Sequence, residues 1–134
     1  MRWALVVLAG FLIPFPQTVA PPWTARIVDE SGAPQPDATV REVWEQYSLE
    51  THSHQEELRT DSHGTVSFPR RTLWRPYAAN VIGAIRKFRA DRKRGDFGPV
   101  AYLLATRPDQ QGFADYCLTC AEPVARRIVM HAIR

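Results

Sequence analysis

Apolar and polar residues alternate along short segments of the chain, a pattern typical of β-strands that bury one face. The clearest example is the segment 65–68, in which Val66 and Phe68 alternate with Thr65 and Ser67. Alternation or a continuous apolar run predicts further strands at residues 25–29, 38–47, 56–60, 100–106 and 125–133. Residues 107–112, which are mainly polar, are predicted as a loop.

The second predicted strand departs from strict alternation. Its apolar pattern slips between Val40 and Val43, which indicates either a β-bulge or burial on both faces. We expect Ile27, Val40, Val66 and Phe68 to share one interior, because the strands that carry them must bury their apolar faces against each other.

Two turns of the same type separate the first four predicted strands. In each turn the strand stops at an aspartate that is followed three positions later by glycine: Asp29 and Gly32 in the first, Asp61 and Gly64 in the second. Glycine readily adopts the positive φ angles that tight turns require. The segment 61–64 is therefore predicted as the turn of a β-hairpin.

The period changes over residues 74–95, where apolar residues recur at helical spacing. The members of one apolar stripe are Ala78, Val81, Ile82, Ile85 and Phe88. Pro76 suits a first helical turn and Gly95 suits a stop, so an amphipathic helix is predicted over about 76–94. We expect its stripe to pack against a sheet.

Charge is unevenly distributed along the chain. Residues 29–63 contain nine acidic and two basic side chains, whereas residues 64–95 contain nine basic and one acidic. Six of these cations crowd into the second half of the predicted helix: Arg86, Lys87, Arg89, Arg92, Lys93 and Arg94. Cations near a helix C-terminus complement its dipole, so the ordinary explanation of this cluster is a solvated face of the helix. The alternative is a surface that binds anionic lipid or another polyanion.

The first twenty residues are typical of a secretory signal peptide. Arg2 provides a positive charge, residues 3–15 form an apolar run, and Thr18-Val19-Ala20 provides small residues before a cleavage site. We therefore predict a signal peptide at 1–20. The alternative is an uncleaved membrane anchor, which would need a run of about 20 apolar residues to span the bilayer comfortably.

The remaining residues, 21–134, are predicted to form a single domain. Apolar residues make up 45% of the chain and charged residues 23%, which is the composition of a globular protein. A cleaved signal would place this domain in the periplasm or outside the cell. An uncleaved segment would anchor it to the membrane.

The two turns also carry a resemblance to a known family. The residues concerned are Val28-Asp29, Gly32, Pro34, Ala38 and Val40, followed by Thr60-Asp61, Gly64, Val66 and Phe68. In this arrangement the chain resembles the carboxypeptidase regulatory-like domains, which are transthyretin-like β-sandwiches common in exported bacterial proteins. The resemblance implies a mainly β, Ig-like antiparallel sandwich with the helix 76–94 as an insertion, and a non-enzymatic role in binding or structure.

Cys117-Leu118-Thr119-Cys120 is the sharpest local motif. In an exported protein two nearby cysteines favour a structural disulfide between Cys117 and Cys120. The alternatives are redox-active thiols, bonding to a partner, or metal binding. Two cysteines alone cannot provide a four-thiolate zinc site.

Histidine and carboxylate residues are concentrated between positions 50 and 57. In an extended segment His52 and His54 would project to one face together with Glu50 and Glu56. Two imidazoles and a carboxylate can hold a divalent metal, so His52, His54 and Glu56 are candidate ligands. The simpler interpretation is a solvated polar loop, which leaves the protein without a metal or other cofactor.

These observations support three functional hypotheses. The first is an exported, non-enzymatic module that binds an unknown protein or carbohydrate ligand in the cell envelope. The second is a small exported metal-binding protein or hydrolase that uses the region of His52 and His54. The third is a peripheral membrane protein that uses the basic helix. An exposed stripe of Ile82, Ile85 and Phe88 would favour binding to a membrane or to a partner. Nucleic acid is not an expected partner, since base-stacking aromatics are not interleaved with the cations.

Overall fold

The computed structural model describes residues 10–46, 50, 52–90, 99–117, 122 and 124–133. Ten strands and one long helix are named within these ranges. In chain order they are β1 (Pro14–Ala20), β2 (Trp23–Val28), β3 (Thr39–Gln46), β4 (His54–Arg59), β5 (Thr65–Phe68), β6 (Arg71–Pro76), α1 (Tyr77–Ala90), β7 (Pro99–Arg107), β8 (Gln110–Asp115), β9 (Arg127–Val129) and β10 (His131–Ala132).

The fold is mainly β, as predicted, and its strands form three sheets. The largest has five strands in the order β10-β8-β7-β3-β4, and all of its pairs are antiparallel. A three-stranded sheet has the order β5-β2-β9, in which β2 and β9 run parallel. The third sheet is the two-stranded antiparallel pair β1-β6.

The five-stranded and three-stranded sheets enclose a common core. Its largest fully buried apolar side chains come from both sheets and from the residue after β9: Trp23, Ile27, Val40, Leu103, Ile128 and Met130. Ile27, Val40, Val66 and Phe68 all belong to this cluster, so the prediction that they share one interior is confirmed. Two facing sheets with one shared interior are the arrangement of a β-sandwich.

The pair β1-β6 continues the pair β2-β5 in the same register as far as Ala20, and the register then shifts by one residue between Ala20 and Thr18. Trp23 lies opposite Phe68, and across a break at Pro21-Pro22 and Pro69-Arg70 the pairing resumes with Ala20 opposite Arg71. Proline has no amide proton to donate to a ladder, which explains why hydrogen bonding stops there. We call the β1-β6 pair the ribbon. It contacts β3 and β7 of the large sheet, and it leads directly into α1.

The two aspartate-glycine turns differ from the prediction in what they connect. Gly32 and Gly64 have φ angles of +86° and +72°, so the expected positive φ is confirmed at Gly64. However, β4 and β5 belong to different sheets, and so do β2 and β3. The prediction of a hairpin turn at 61–64 is therefore wrong, because this turn carries the chain from one layer to the other.

Several element boundaries also differ from the prediction. The predicted loop 107–112 is wrong, because only Pro108 and Asp109 turn before β8 begins. The predicted last strand, 125–133, is divided between β9 and β10, which pair in different sheets. The helix is confirmed over Tyr77–Ala90, while Trp74 belongs to β6. The predicted helical residues 91–94 lie outside the described residues.

The irregularity between Val40 and Val43 is resolved as burial on both faces. Both side chains are buried. The pairing of β3 with β4 and with β7 runs through them without a shift in register. The alternative, a β-bulge, does not occur at this point.

Candidate functional site

The main candidate site is an apolar surface on α1 and the adjoining end of the ribbon. Ile82, Ile85 and Phe88 are 58%, 50% and 60% exposed, although the sequence predicted that they pack against a sheet. That prediction is wrong. The helix instead contacts the ribbon through Asn80, whose side-chain amide donates a hydrogen bond of 2.9 Å to the Gln17 side-chain oxygen.

Aromatic rings extend this surface from the helix to the start of the ribbon. The Tyr77 ring lies 5.3 Å from the Phe11 ring in an edge-on contact and 6.4 Å from the Phe15 ring in a stacked one. Val81 follows Tyr77 by one helical turn, and Ile85 follows Val81 by another. We define the apolar surface by these seven exposed residues: Phe11, Phe15, Tyr77, Val81, Ile82, Ile85 and Phe88.

The charged residues in the sequence of α1, Tyr77–Ala90, are all basic. Arg86 and Arg89 are exposed on α1. The sequence between Arg70 and Ala90 contains no acidic residue. A wide apolar arc flanked by cations is the pattern of a helix that lies at a lipid–water interface.

A second candidate site is a charged cluster around Arg71, the first residue of β6. The Arg71 Nε donates to Glu42 Oε2 at 2.8 Å, and its Nη2 forms an ion pair with Glu56. The guanidinium also lies 4.3 Å from the centre of the Trp44 ring, which is a cation–π contact. Glu42 and Glu56 are directly opposite each other on β3 and β4, so Arg71 separates two like charges.

Glu42 is the most deeply buried member of this cluster. Its side chain is fully buried, and its Oε1 has no hydrogen-bond partner in the part of the chain that the structure describes. Burial raises the pKa of Glu42, and the hydrogen bond and charge of Arg71 oppose that rise. Arg71 thus partly compensates a carboxylate that the fold keeps away from water.

Glu50 and His54 lie beside the Arg71 cluster. Glu50 Oε1 is 2.8 Å from His54 Nε2, and the other oxygen accepts the backbone amide of Gln46 at 2.8 Å. Burial alone would raise the pKa of Glu50, but these hydrogen bonds outweigh it and lower the pKa. The His54 ring stacks on Trp44 at 5.6 Å between centroids.

These groups border a pocket of about 180 Å³ beneath the ribbon. Its lining is mixed, with apolar, aromatic, acidic and basic side chains: Val19, Trp44, Glu50, His54, Arg71, Thr72 and Leu73. Glu50 pairs with His54, and Arg71 pairs with Glu42 and Glu56. The pocket can therefore admit a small molecule, but its polar groups are committed to holding the ribbon on the sandwich.

The candidate metal ligands are not brought together as a set. His54 and Glu56 share a face of β4, yet His54 contacts Glu50 and Trp44 while Glu56 pairs with Arg71. His52 lies before β4 and is exposed. Within the described residues, no group of three His, Cys, Asp or Glu side chains is placed to hold a metal ion.

The cysteine motif falls at the edge of the described residues. Cys117 has an interaction partner. Cys120 lies outside the described residues, so the disulfide between them stays a prediction.

Sequence reasoning missed two groups of residues that the fold brings together. Phe11 and Phe15 were assigned to a signal peptide, although they pack on Tyr77. Arg71 was one of many cations, with no local sign that it lies above Glu42. The signal that could have identified its site is the inward alternation of Val40, Glu42 and Trp44, which places a carboxylate on a buried face.

Comparisons with protein-family models, with curated proteins and with solved structures found no match to this chain. Among the helices in the described ranges, none is long and apolar enough to span a membrane. The function is therefore inferred from the geometry of the two candidate sites.

Proposed function

We propose that this chain is a non-enzymatic β-sandwich module of the cell envelope that binds an anionic membrane surface through the apolar surface. The observation that carries the proposal is the exposure of Ile82, Ile85 and Phe88 on the folded domain. This exposure supports binding to a membrane or to a partner, and the basic residues of α1 support an anionic membrane as the partner.

The energetics favour lipid as the occupant of the apolar surface. Burying a large apolar side chain stabilises a complex by about 1.5–3 kcal/mol, and several such side chains are available here. Each Arg or Lys near an anionic bilayer adds about 1 kcal/mol. Arg86 and Arg89 supply such charges next to Phe88, while the sequence from Arg70 to Ala90 offers no acid to repel lipid phosphate.

Two features support the assignment to an exported, transthyretin-like family. The aspartate-glycine turns that carry the resemblance to carboxypeptidase regulatory-like domains link the layers of a sandwich, and the N-terminal sequence is typical of export. The metal or hydrolase hypothesis gains no support, since the carboxylates near His54 are engaged with Arg71 and with His54 itself.

The proposal is tested by vesicle co-sedimentation of the purified chain. We expect binding to phosphatidylglycerol-containing vesicles and much weaker binding to phosphatidylcholine. Phe88→Ser should weaken binding about tenfold, because the interface loses at least about 1.4 kcal/mol of apolar burial. Phe113→Ser is the matched control, since Phe113 on β8 is 59% exposed and Phe88 60%, but Phe113 lies on the sandwich.

Salt provides a second readout. Raising the ionic strength from about 0.05 M to about 0.5 M should weaken the binding, since it screens the attraction between exposed cations and lipid phosphate. Arg86→Gln combined with Arg89→Gln should reduce this salt dependence. Equal vesicle binding by Phe88→Ser and Phe113→Ser, or no binding by the unmodified chain, would refute the proposal.

A further inference from the structure

We infer that the segment before β2 is retained in the mature protein and that its apolar residues enter the same membrane that α1 binds. The retention rests on the packing of β1 alone. The insertion into lipid rests in addition on the proposed function. The inferred binding surface therefore includes the residues that sequence analysis assigned to a cleaved signal.

The first argument is that β1 completes the ribbon. It pairs with β6 from Pro14 opposite Pro76 to Ala20 opposite Arg71. Among the strands of the described residues, β1 is the only one that pairs with β6. Cleavage after Ala20 would leave β6 without a partner, and an isolated strand with unsatisfied backbone groups is unstable.

The second argument is that β1 contributes to the buried interior and to the contact with α1. Val19 and Ala20 are 2% and 0% exposed. The Gln17 amide donates to the Arg75 carbonyl at 3.3 Å, and its oxygen accepts the hydrogen bond from Asn80. Without β1 the helix would lose this contact, and Val19 would no longer close the pocket beside Arg71.

The residues at the start of β1 lie at the apolar surface. Phe11 and Phe15 pack on Tyr77, so the chain enters β1 from the apolar surface. Leu12 and Ile13 are 61% and 63% exposed at the same point. The exposed residues Phe11, Leu12, Ile13 and Phe15 are all apolar, so the occupant that suits both them and α1 is lipid.

The test uses the full chain, made in a bacterial host with active export and purified through a C-terminal tag. Two variants are compared with it: Val19→Asp, at a buried position, and Thr18→Asp, at the adjacent exposed position. We expect each purified protein to have the mass of a chain that includes residues 14–20. Val19→Asp should lower the thermal midpoint by about 10 °C, while Thr18→Asp should change it by only a few degrees.

If the segment is removed, all three mature proteins begin at Pro21 and have the same mass and midpoint, and the inference is overturned. Equal midpoints for Val19→Asp and Thr18→Asp at full mass would overturn it as well. Insertion into lipid is tested separately by washing membranes with high salt, after which more of the full chain should stay bound than of a chain with Leu12→Ser and Ile13→Ser, two exposed positions before β1. Equal retention of the two chains would refute the insertion. The vesicle experiment with Phe88→Ser tests the proposed function separately, since Phe88 lies on α1, outside the segment whose retention is tested.

Discussion

At the scale of single residues, the two aspartate-glycine turns have the same hydrogen bonds. In each turn the aspartate amide donates to the carbonyl four positions later, at 3.0 Å for Asp29 and 2.9 Å for Asp61. The amide of that fourth residue donates back to the aspartate Oδ1, at 2.9 Å and 2.8 Å. The glycine amide donates to the aspartate carbonyl at 3.0 Å in both. The same hydrogen-bonded turn is thus used at two places where the chain passes from one sheet to the other.

The surroundings of the two glycines differ, and this leads to a prediction. Alanine at either position must adopt a positive φ, which costs about 1 kcal/mol. A Cβ at Gly64 would also lie 2.7 Å from the Ile27 carbonyl oxygen and 2.9 Å from the Gln35 amide nitrogen. Overpacking against backbone adds about 1–3 kcal/mol. We therefore expect Gly64→Ala to lower the free energy of unfolding by about 2–4 kcal/mol, measured by urea denaturation.

Gly32→Ala is the matched control for that measurement. A Cβ at Gly32 would meet only the end of the Arg127 side chain, at 3.1 Å, which can move. We expect a loss of about 1 kcal/mol from the positive φ alone. Equal losses for the two variants would contradict the close approach of backbone at Gly64.

The same turns predict a dependence of stability on pH. Hydrogen bonds from the backbone amides of Thr65 and His63 lower the pKa of Asp61 below its ordinary value. A depressed folded-state pKa contributes stability above the unfolded-state pKa, and this contribution is lost as the pH falls through the folded-state pKa. Asp61→Asn should therefore be less stable than the unmodified chain at pH 7. The difference in urea midpoint should shrink between about pH 4 and pH 2, and a constant difference would argue against this role of the charge.

At the scale of elements, a half-buried arginine joins the ribbon to the large sheet. Arg71 on β6 binds Glu42 on β3 and Glu56 on β4. Removing it would leave the Glu42 carboxylate buried without a counter-charge. We expect Arg71→Met to lower the free energy of unfolding at pH 7 by about 3 kcal/mol. Chemical denaturation of the two proteins checks this value.

The stability lost in Arg71→Met should depend on pH, and the pKa of Glu42 sets the direction of this dependence. Burial raises the pKa of this carboxyl, so its contribution to stability is present below the unfolded-state pKa and is lost as the pH rises through the folded-state pKa. Without Arg71 the cost of ionising Glu42 grows, and the variant should recover stability as the pH falls from 7 towards 5. Arg41→Met is the control, because Arg41 and Glu57 form an exposed pair that contributes less than about 1 kcal/mol. A loss of the same size in both variants would contradict the prediction.

The orientation of α1 marks the limit of prediction at this scale. The spacing of Ile82, Ile85 and Phe88 correctly predicted a helix, because periodicity is local information. The same stripe suits packing on a sheet or on lipid, so the sequence does not decide which face turns inward. That choice depends on Asn80 meeting Gln17, a contact between residues far apart in the chain.

At the scale of the whole molecule, the sequence predicted the core better than the layers. Alternation identified Ile27, Val40, Val66 and Phe68, since each strand must bury one face. It did not identify partners, because sheet pairing is set by contacts between distant segments. The sequence did not predict β1, because its residues belong to an apolar segment that is typical of targeting. It did not predict β8, because polar residues lie on the exposed face of that strand. Each candidate site was therefore foreseen only in part: the stripe of the apolar surface, and Glu50, His54 and Glu56 near Arg71, were identified without the contacts that unite them.

The continuous register across the proline break limits how this chain can change in length. A one-residue insertion or deletion in either connector, 21–22 or 69–70, would slide β1 by one place against β6. Val19 would then rotate from the interior to solvent, because strand side chains alternate between faces. Matched changes of two residues, made in both connectors, would keep the pairing and the faces of the side chains. Among natural variants of this chain, length differences at the two connectors should therefore occur together.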